Sequence, residues 1–412
     1  MSDHWPRYDL TSDNRLLTKA EEVADLLYVA FDTPNRLPVP MLNWDLIAAG
    51  NAMTASEQDS IAGLGSLTLE FAHLAQLTGN AKWYDAPSRV MKVFAASQNT
   101  TRLPGMWPAK PVNAAIADLQ TGEGLFHLGG DSDSHYEYLL KMHILLGGSE
   151  FYEDMYHDAM ETAIPTLLFR PMLEDSPDVL LFGQITVDED GFLHKSYRAD
   201  HLACFAGGLL GLGSKILDEP SHADLGMKVT KGCIEMYAKA SLGIMPDESF
   251  VLPCLDCRHD HDIPGCCTWD PNTWSRACAV TAPDEQKATC SDRLESGILS
   301  TSNKEYKLRP EALESIFILY RITGDTTLQA KAWEMFEAIS EHTRTEVANS
   351  AILDVMDKAA PRKDEMESSW FAATLKYLYL IFSEVDLVSL DEWVFNTEGH
   401  PFRRVHALPD DN

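Results

Sequence analysis

The chain has 412 residues, of which 45% are hydrophobic and 23% charged, and its formal net charge is −30. This composition is ordinary for a globular protein and is sufficient to bury a large core. A net negative charge of this size repels the phosphate backbone of a nucleic acid, so no nucleic-acid partner is expected. The same negative charge favours the binding of cations, although most of the acidic residues are expected to lie on the solvated surface.

No targeting segment or membrane span is visible in the sequence. Residues 1–7 are polar, and no apolar run approaches the roughly 20 residues that a membrane-spanning helix needs. A membrane anchor is therefore not expected within this chain.

Hydrophobic periodicity predicts helices along much of the chain, because apolar residues recur at the three- and four-residue spacing of one helical face. Strand patterns are few and short, as at residues 179–182. The helical segments predicted in this way are residues 16–27, 67–77, 83–94, 138–146 and 375–382.

A helix-ending signal repeats between these segments. It occurs at residues 10–13, 77–80 and 322–325, with degenerate copies at 145–148 and 210–213. Glycine, Asn and Asp favour helix ends, and periodic self-similarity is typical of an array or closed ring of helix pairs. The prediction is a single all-α domain over residues 1–412, with its helical hairpins curled into a toroid.

Six of the eight cysteines lie within residues 254–290. With His259 and His261 they could form a zinc site, but paired zinc knuckles repeat a two-residue spacing, and here the second pair is adjacent. The favoured interpretation is a disulfide-linked insertion over residues 251–290, which indicates an oxidising compartment. The glycosylation sequon at Asn99 agrees with such a compartment.

The other two cysteines, Cys204 and Cys233, lie in neighbouring predicted helical segments, a position that fits a disulfide between them. A sequence that indicates a secretory protein but shows no targeting segment predicts that the N-terminus is incomplete.

Glu311 and Glu314 form the most informative pair of carboxylates. They follow Pro310, which can open a helix, and their three-residue spacing places both on one helical face near the positive end of the helix dipole. This arrangement suits a general base or a ring of acids around a sugar. The alternative is that acidic residues simply favour the first turn of a helix.

Asp133 stands at the start of another predicted helix. Ser134 and Glu137 have the spacing of a capping box, in which case Asp133 is only an acid before the helix. The functional alternative makes Asp133 a pocket carboxylate that faces Glu311.

Two further segments contain candidate residues for binding a ligand or a metal ion. His201 begins a predicted helix, although a single histidine is more often structural than functional. In the loop at residues 394–401, the hydroxyl and carbonyl oxygens of Thr397 are suitable calcium ligands. The alternative for this loop is a simple turn, which its Asn, Gly and Pro residues favour.

The sequence contains no glycine-rich phosphate loop, no Gly-x-Ser-x-Gly elbow and no His-Glu-x-x-His motif.

Six longer segments, taken together and in their order along the chain, are specific enough to indicate a protein family. These segments are residues 65–79, 133–141, 201–205, 308–315, 367–368 with 374–377, and 394–398 with 400–401. The chain resembles the class I α-1,2-mannosidases, glycoside hydrolase family 47, over nearly its whole length.

The resemblance implies an (α/α)7 barrel and an inverting glycosidase that removes terminal α-1,2-linked mannose from N-glycans. The implied partner is a high-mannose N-glycan or glycoprotein in the secretory pathway, in the endoplasmic reticulum or Golgi lumen or outside the cell. The resemblance also implies a bound Ca²⁺ that contacts the sugar. Inversion needs an acid and a base roughly 6.5–9.5 Å apart, so that a water fits between the base and the sugar.

By the same resemblance, Glu311 is the base that activates water and Asp133 is a second catalytic carboxylate. Asp247, with Glu248 beside it, stands for the acid that usually follows a proline in the family. Thr397 is implied as the direct calcium ligand. The residues implied at sugar-binding or calcium-shell positions are Glu70, His201, Arg309, Glu314 and Glu398, and Cys204 with Cys233 matches the family's disulfide.

The chain also departs from the family pattern. Gly63 and Ala373 replace two glutamates, and Ser369 aligns with an aromatic residue that contacts the sugar. Asp131 falls at a position that helps to select the trimmed branch. The family's general acid precedes the segment that corresponds to residues 8–13, so the chain is expected to lack this acid and the first helices, and the ring of helices to have a gap.

Two functional hypotheses result. The first is a calcium-dependent α-1,2-mannosidase by descent, with weak or no activity in this chain, because loss of a general acid commonly costs about 10²–10⁴-fold in rate. The alternative is a non-catalytic protein that binds high-mannose glycans in quality control of the endoplasmic reticulum, or an inactive paralogue.

Overall fold

The computed structural model describes residues 5–120, 122, 124–175, 177–254, 267–281 and 295–404. The chain forms two compact units. The first unit contains the described parts of Met1–Ile164, Ile185–His194 and Val388–Asn412, and the second contains those of Pro165–Gln184 and Lys195–Leu387.

Helices account for most of the regular structure in both units. In chain order they are α1 (Trp5–Thr11), α2 (Asn14–Tyr28), α3 (Trp44–Ala48), α4 (Ile61–Gly65), α5 (Thr68–Thr78), α6 (Lys82–Ser97), α7 (Asp133–Leu145), α8 (Glu150–Leu167), α9 (Phe205–Ile216), α10 (Pro220–Lys239), α11 (Pro271–Thr281), α12 (Glu311–Thr323), α13 (Thr326–Thr343) and α14 (Leu375–Ile381). A π-helical segment, Trp370–Thr374, leads into α14. Within the described residues, no helix is long and apolar enough to cross a membrane.

The strands are short, as the sequence predicts. They are β1 (Leu125–Phe126), β2 (Leu168–Phe169), β3 (Leu181–Phe182), β4 (Gln184–Val187), β5 (Leu193–Ser196), β6 (Arg198–Asp200), β7 (Glu248–Val251), β8 (Ile298–Asn303), β9 (Trp393–Phe395) and β10 (Pro401–Arg403). In the second unit, β7 lies between β6 and β8 and pairs antiparallel with both. In the first unit, β9 and β10 form an antiparallel hairpin in which Pro401 pairs with Phe395.

The repeated helix-ending signal coincides with a helix end at four of its five positions, those after α1, α5, α7 and α12. Gly79 and Gly324 take left-handed backbone conformations with φ of 69° and 70°, and they end α5 and α12. Glycine adopts this conformation without the steric cost that a Cβ atom brings. Asp325 then begins α13, because its side chain accepts a hydrogen bond from the backbone of Thr327.

The prediction that residues 210–213 end a helix is wrong. They lie inside α9, which continues to Ile216. A Cβ atom on Gly211 would lie 2.6 Å from Leu319 Cδ2 of α12, so this glycine permits close packing of two helices. Tertiary packing explains the glycine here, and local backbone conformation does not.

Two disulfides lie within the described residues. Cys204 and Cys233 join the start of α9 to α10, which confirms the predicted pairing. Cys254 pairs with Cys267 within the cysteine-rich insertion, so neither is available as a zinc thiolate. Cys278 is also disulfide-bonded. The remaining cysteines of the insertion, and the two histidines that the zinc alternative would use, lie outside the described residues.

We expect the Cys204–Cys233 disulfide to stabilise the second unit. Replacing both cysteines with alanine should lower the free energy of unfolding by about 2–4 kcal/mol, because the bond closes a long loop in the unfolded chain. Urea denaturation of the oxidised variant measures this loss. The matched control is the Cys254–Cys267 pair, whose sequence separation of 13 against 29 predicts a smaller loss. An unchanged urea midpoint for the first variant would contradict the expectation.

Candidate active site

Glu311 and Glu314 lie where the sequence predicts them. Both belong to the first turn of α12, which follows Pro310. The Glu314 residue is 4% exposed, whereas the side chain of Glu311 retains 15% exposure. Of the two carboxylates, Glu311 is therefore the one that water can reach.

His201 fixes the carboxylate of Glu311. The His201 side chain is fully buried, and its Nδ1 atom lies 3.0 Å from Glu311 Oε2. An ionised carboxylate can only accept a hydrogen bond, so Nδ1 is the donor when Glu311 is charged. The other ring nitrogen, Nε2, lies 2.8 Å from the hydroxyl of Tyr237. The histidine thus holds the position of Glu311 from a buried site.

Arg309 and Asp247 form a largely buried ion pair in the same unit. Arg309 Nε donates to Asp247 Oδ1 at 2.8 Å, and Arg309 Nη2 lies 3.4 Å from Asp247 Oδ2. Asn303 donates to the second oxygen at 3.3 Å. Burial alone would lower the pKa of Arg309, but its hydrogen bonds to Asp247 and the nearby charge of Glu311 raise that pKa well above the usual value. The guanidinium therefore remains charged beside Glu311.

Two buried tyrosines complete this group of residues. Tyr306 donates to the carbonyl oxygen of Arg309 at 3.4 Å, and a hydrogen bond joins Tyr306 to Tyr237. Burial raises the pKa of both hydroxyls, so both remain protonated at neutral pH. The sequence does not reveal these tyrosines, because nothing in their local spacing distinguishes them from ordinary core residues.

A second set of candidate residues lies in the first unit. Glu70 of α5 is 7% exposed, and its Oε1 atom accepts hydrogen bonds from Tyr138 and Asn396, each at 2.8 Å. Burial raises the pKa of Glu70. Within the described part of the chain, its buried Oε2 atom has no hydrogen-bond partner.

The loop after β9 is tied to Glu70 through Asn396. The side-chain oxygen of Asn396 accepts from the backbone of Glu398 at 3.1 Å and of His400 at 2.7 Å, which closes a tight turn. The backbone N–H of Thr397 donates to Tyr138 at 3.3 Å. The segment is thus a turn. Thr397 and Glu398 are exposed on it, whereas the Asn396 side chain that anchors the turn is buried.

Asp133 is the first residue of α7 and is half-buried. The capping-box alternative is wrong: the N-cap is Ser132, which makes no side-chain capping bond. Glu137 instead forms an ion pair with Lys141 in which both side chains are buried. Asp133 therefore belongs to the helix and is not a pre-helical acid.

The structure also shows the positions of Gly63 and Ala373, the two residues that replace glutamates of the family pattern. Gly63 lies within α4, and Ala373 is fully buried in the π-helical segment before α14. Neither position supplies a carboxylate. Among the described residues, no group of three or more His, Cys, Asp or Glu side chains is arranged to hold a metal ion.

Comparison with known proteins identifies the class first. The structure of an alpha-1,2-mannosidase from Trichoderma reesei superposes with a TM-score of 0.78 and 28% identity, covering 95% of this chain and 75% of that chain. This match confirms the predicted all-α fold class of the (α/α)-barrel mannosidases.

Sequence comparison then gives the family. A family model described as glycosyl hydrolase family 47 matches residues 5–404. Mannosyl-oligosaccharide alpha-1,2-mannosidase IA of Spodoptera frugiperda is 33% identical over 96% of this chain and 52% of its own length. Human mannosyl-oligosaccharide 1,2-alpha-mannosidase IC is 31% identical over 97% of this chain and 55% of its own length. The chain belongs to glycosyl hydrolase family 47, and it spans about half the length of these curated relatives.

Proposed function

We propose that this chain hydrolyses terminal α-1,2-linked mannose of high-mannose N-glycans, with inversion and with bound calcium. The observation that carries the proposal is Glu311, a water-accessible carboxylate fixed by His201 beside the Arg309 guanidinium. Family membership and the names of the relatives support a mannose-trimming glycosidase. We expect slow turnover, because Gly63 and Ala373 provide no carboxylate where the family has glutamates.

Glu311 is the general base of this proposal. Its carboxylate takes a proton from a water molecule as that water attacks the anomeric carbon of mannose. The bond from this carbon to the glycosidic oxygen breaks in the same step, and that oxygen leaves on the second sugar with a proton from solvent. His201 prevents the carboxylate from rotating, and the positive charge of Arg309 favours its ionised form. Asp133 is the second catalytic carboxylate. Asp247, a catalytic candidate in the sequence, is proposed to act by holding Arg309.

The turn above Glu70 fits a calcium ion whose coordination is completed by water. Calcium takes six to eight hard oxygen ligands, including carbonyl oxygens and water. Thr397 offers a hydroxyl and a carbonyl oxygen on an exposed turn, and Glu398 adds a carboxylate beside it. The buried Oε2 of Glu70, which has no hydrogen-bond partner among the described residues, offers a further acidic oxygen under the same turn. When bound, the ion would supply a positive charge that holds sugar hydroxyls.

The calcium assignment predicts a difference between two small substitutions. Calcium should raise the thermal midpoint of the wild-type chain and of Thr397→Ser, which keeps the hydroxyl. Thr397→Ala removes that oxygen, so the calcium-dependent rise should be lost. Differential scanning calorimetry with calcium and with chelator measures the shift. Equal shifts in all three proteins would contradict the role of Thr397.

The stereochemistry of the product tests the proposed reaction. An inverting enzyme must release β-mannose first from an α-linked substrate, whereas a retaining one releases α-mannose. Proton NMR of early time points, before mutarotation, separates the two anomers of the released sugar. First release of α-mannose would rule out the inverting mechanism.

A second candidate function is calcium-dependent binding of high-mannose glycans without hydrolysis. The observation that favours it is the absence of carboxylates at Gly63 and Ala373, while Glu311 and Arg309 remain in place. Binding measured by glycan array, together with no mannose release from a folded protein, would select this function.

The proposed location is the lumen of the secretory pathway, which the disulfides seen among the described residues support. Asn99 is exposed in the turn that follows α6, so it is accessible to a glycan. We expect expression through the secretory pathway to add one N-glycan there. Treatment with peptide N-glycosidase should reduce the apparent mass of the wild type and leave Asn99→Gln unchanged. A wild-type mass that does not respond would count against this location.

A further inference from the structure

The first unit contains an apolar pocket of about 300 Å³, and none of the residues given a role in the proposed sugar chemistry lines it. Its walls come from α2, the segment at residues 38–44, α4 and the start of α5. Leu27, Phe31, Leu64 and Phe71 are among the side chains that line it. A volume of this size is at the lower end of the range for small-molecule sites.

One ionisable side chain, Asp59, lies among these apolar walls. Asp59 is 7% exposed, and its Oδ1 atom accepts a hydrogen bond from the backbone of Ser60 at 2.8 Å. Its Oδ2 atom is buried and has no hydrogen-bond partner in the part of the chain that the structure describes. No lysine, arginine or histidine belongs to the described lining. Asp59 is therefore a buried acid without a counter-charge among the described lining residues.

Gly63 leaves room beside this acid. A Cβ atom at Gly63 would lie 3.1 Å from Asp59 Oδ1, tighter than most real contacts. A side chain at position 63 would therefore crowd Asp59, which also lines the pocket. Burial raises the pKa of Asp59, as expected for a carboxyl group that lacks a compensating charge.

We propose that this pocket binds a small hydrophobic amine, whose ammonium group donates to the carboxyl group of Asp59 and whose apolar body packs against Phe31, Leu64 and Phe71. Such a ligand supplies both missing elements, a hydrogen-bond donor for a buried acceptor and a positive charge for an acid. The net charge of −30 also attracts cations to the protein. A neutral ligand of the same shape supplies only the apolar contacts and a weaker hydrogen bond.

Two probes that differ only in charge test the proposal. Isothermal titration calorimetry compares 2-phenylethylamine with 2-phenylethanol on the full chain at neutral pH. The amine should bind at least tenfold more tightly than the alcohol. Asp59→Asn keeps the shape of the side chain but removes its charge, so it should abolish the preference. Equal affinities for both probes, a preference that persists in Asp59→Asn, or no amine binding at millimolar concentration would overturn the proposal.

A second variant keeps the test decisive if Asp59→Asn fails to fold. Leu67 lines the pocket and is only partly buried, so Leu67→Trp should fill the cavity without disturbing the core. This variant should bind the amine at least tenfold more weakly than the wild type. Circular dichroism confirms that each variant is folded. Unchanged amine affinity in a folded Leu67→Trp protein would place the ligand elsewhere and refute the assignment.

Discussion

Glu311→Gln is expected to lower the rate of mannose release from an α-1,2-linked mannobiose by about 10²–10⁴-fold. Glutamine keeps the size of the side chain and can still contact His201, but it cannot take a proton from water. The Michaelis constant should change much less, because the substitution removes an interaction that matters mainly in the transition state. Single-turnover assays with excess protein measure the loss even when turnover is slow.

The matched control for this substitution is Glu341→Gln, an exposed residue of α13 in the same unit. It removes the same charge from the protein without touching the candidate site, so the rate should stay within twofold of the wild type. A Glu311→Gln protein that keeps half of the wild-type rate would contradict the assignment of the base.

Asp247→Asn is expected to lower the free energy of unfolding by about 3–5 kcal/mol. The side chain of Asp247 is 7% exposed and that of Arg309 23%, so the substitution leaves a mostly buried guanidinium without its main counter-charge. Nearby Glu311 compensates in part, which favours the lower end of this range. Urea denaturation at constant ionic strength measures the change.

A double-mutant cycle separates the ion pair from general damage at the site. Arg309→Met combined with Asp247→Asn should cost less than the sum of the two single losses, because neither partner is then left as an unpaired buried charge. Strict additivity of the two losses would show that the ion pair does not stabilise this unit. Stability of Asp247→Asn within about 0.5 kcal/mol of the wild type would lead to the same conclusion.

Local sequence signals predicted the features that depend on neighbouring residues. Pro310 and the acids after it correctly placed the start of α12, and glycines at 79 and 324 correctly ended two helices. Each of these features follows from backbone conformation or from the helix dipole within a few residues. The disulfide between Cys204 and Cys233 also followed from two predicted helical segments in succession.

The contacts that define the candidate site join residues that are far apart in the sequence. His201 and Glu311 are 110 positions apart, and Glu70 and Asn396 are 326 apart, so no spacing rule connects them. The resemblance to the mannosidases named three of these four residues without giving their contacts. Asn396 lay in a matching segment, but it was not singled out because its role depends on a turn that closes only in the folded chain. The prediction that residues 210–213 end a helix failed for the same reason, since Gly211 lies against Leu319 of another helix.

Linkage-resolved digestion of a high-mannose N-glycan tests the central claim most directly. The chain, with calcium, is incubated with the glycan, and the products are mapped by mass spectrometry and linkage-specific glycosidases. The account predicts that only terminal α-1,2-linked mannose is removed, and that chelator and Glu311→Gln both abolish the release. Release of α-1,3- or α-1,6-linked mannose, or release that persists in Glu311→Gln, would contradict it.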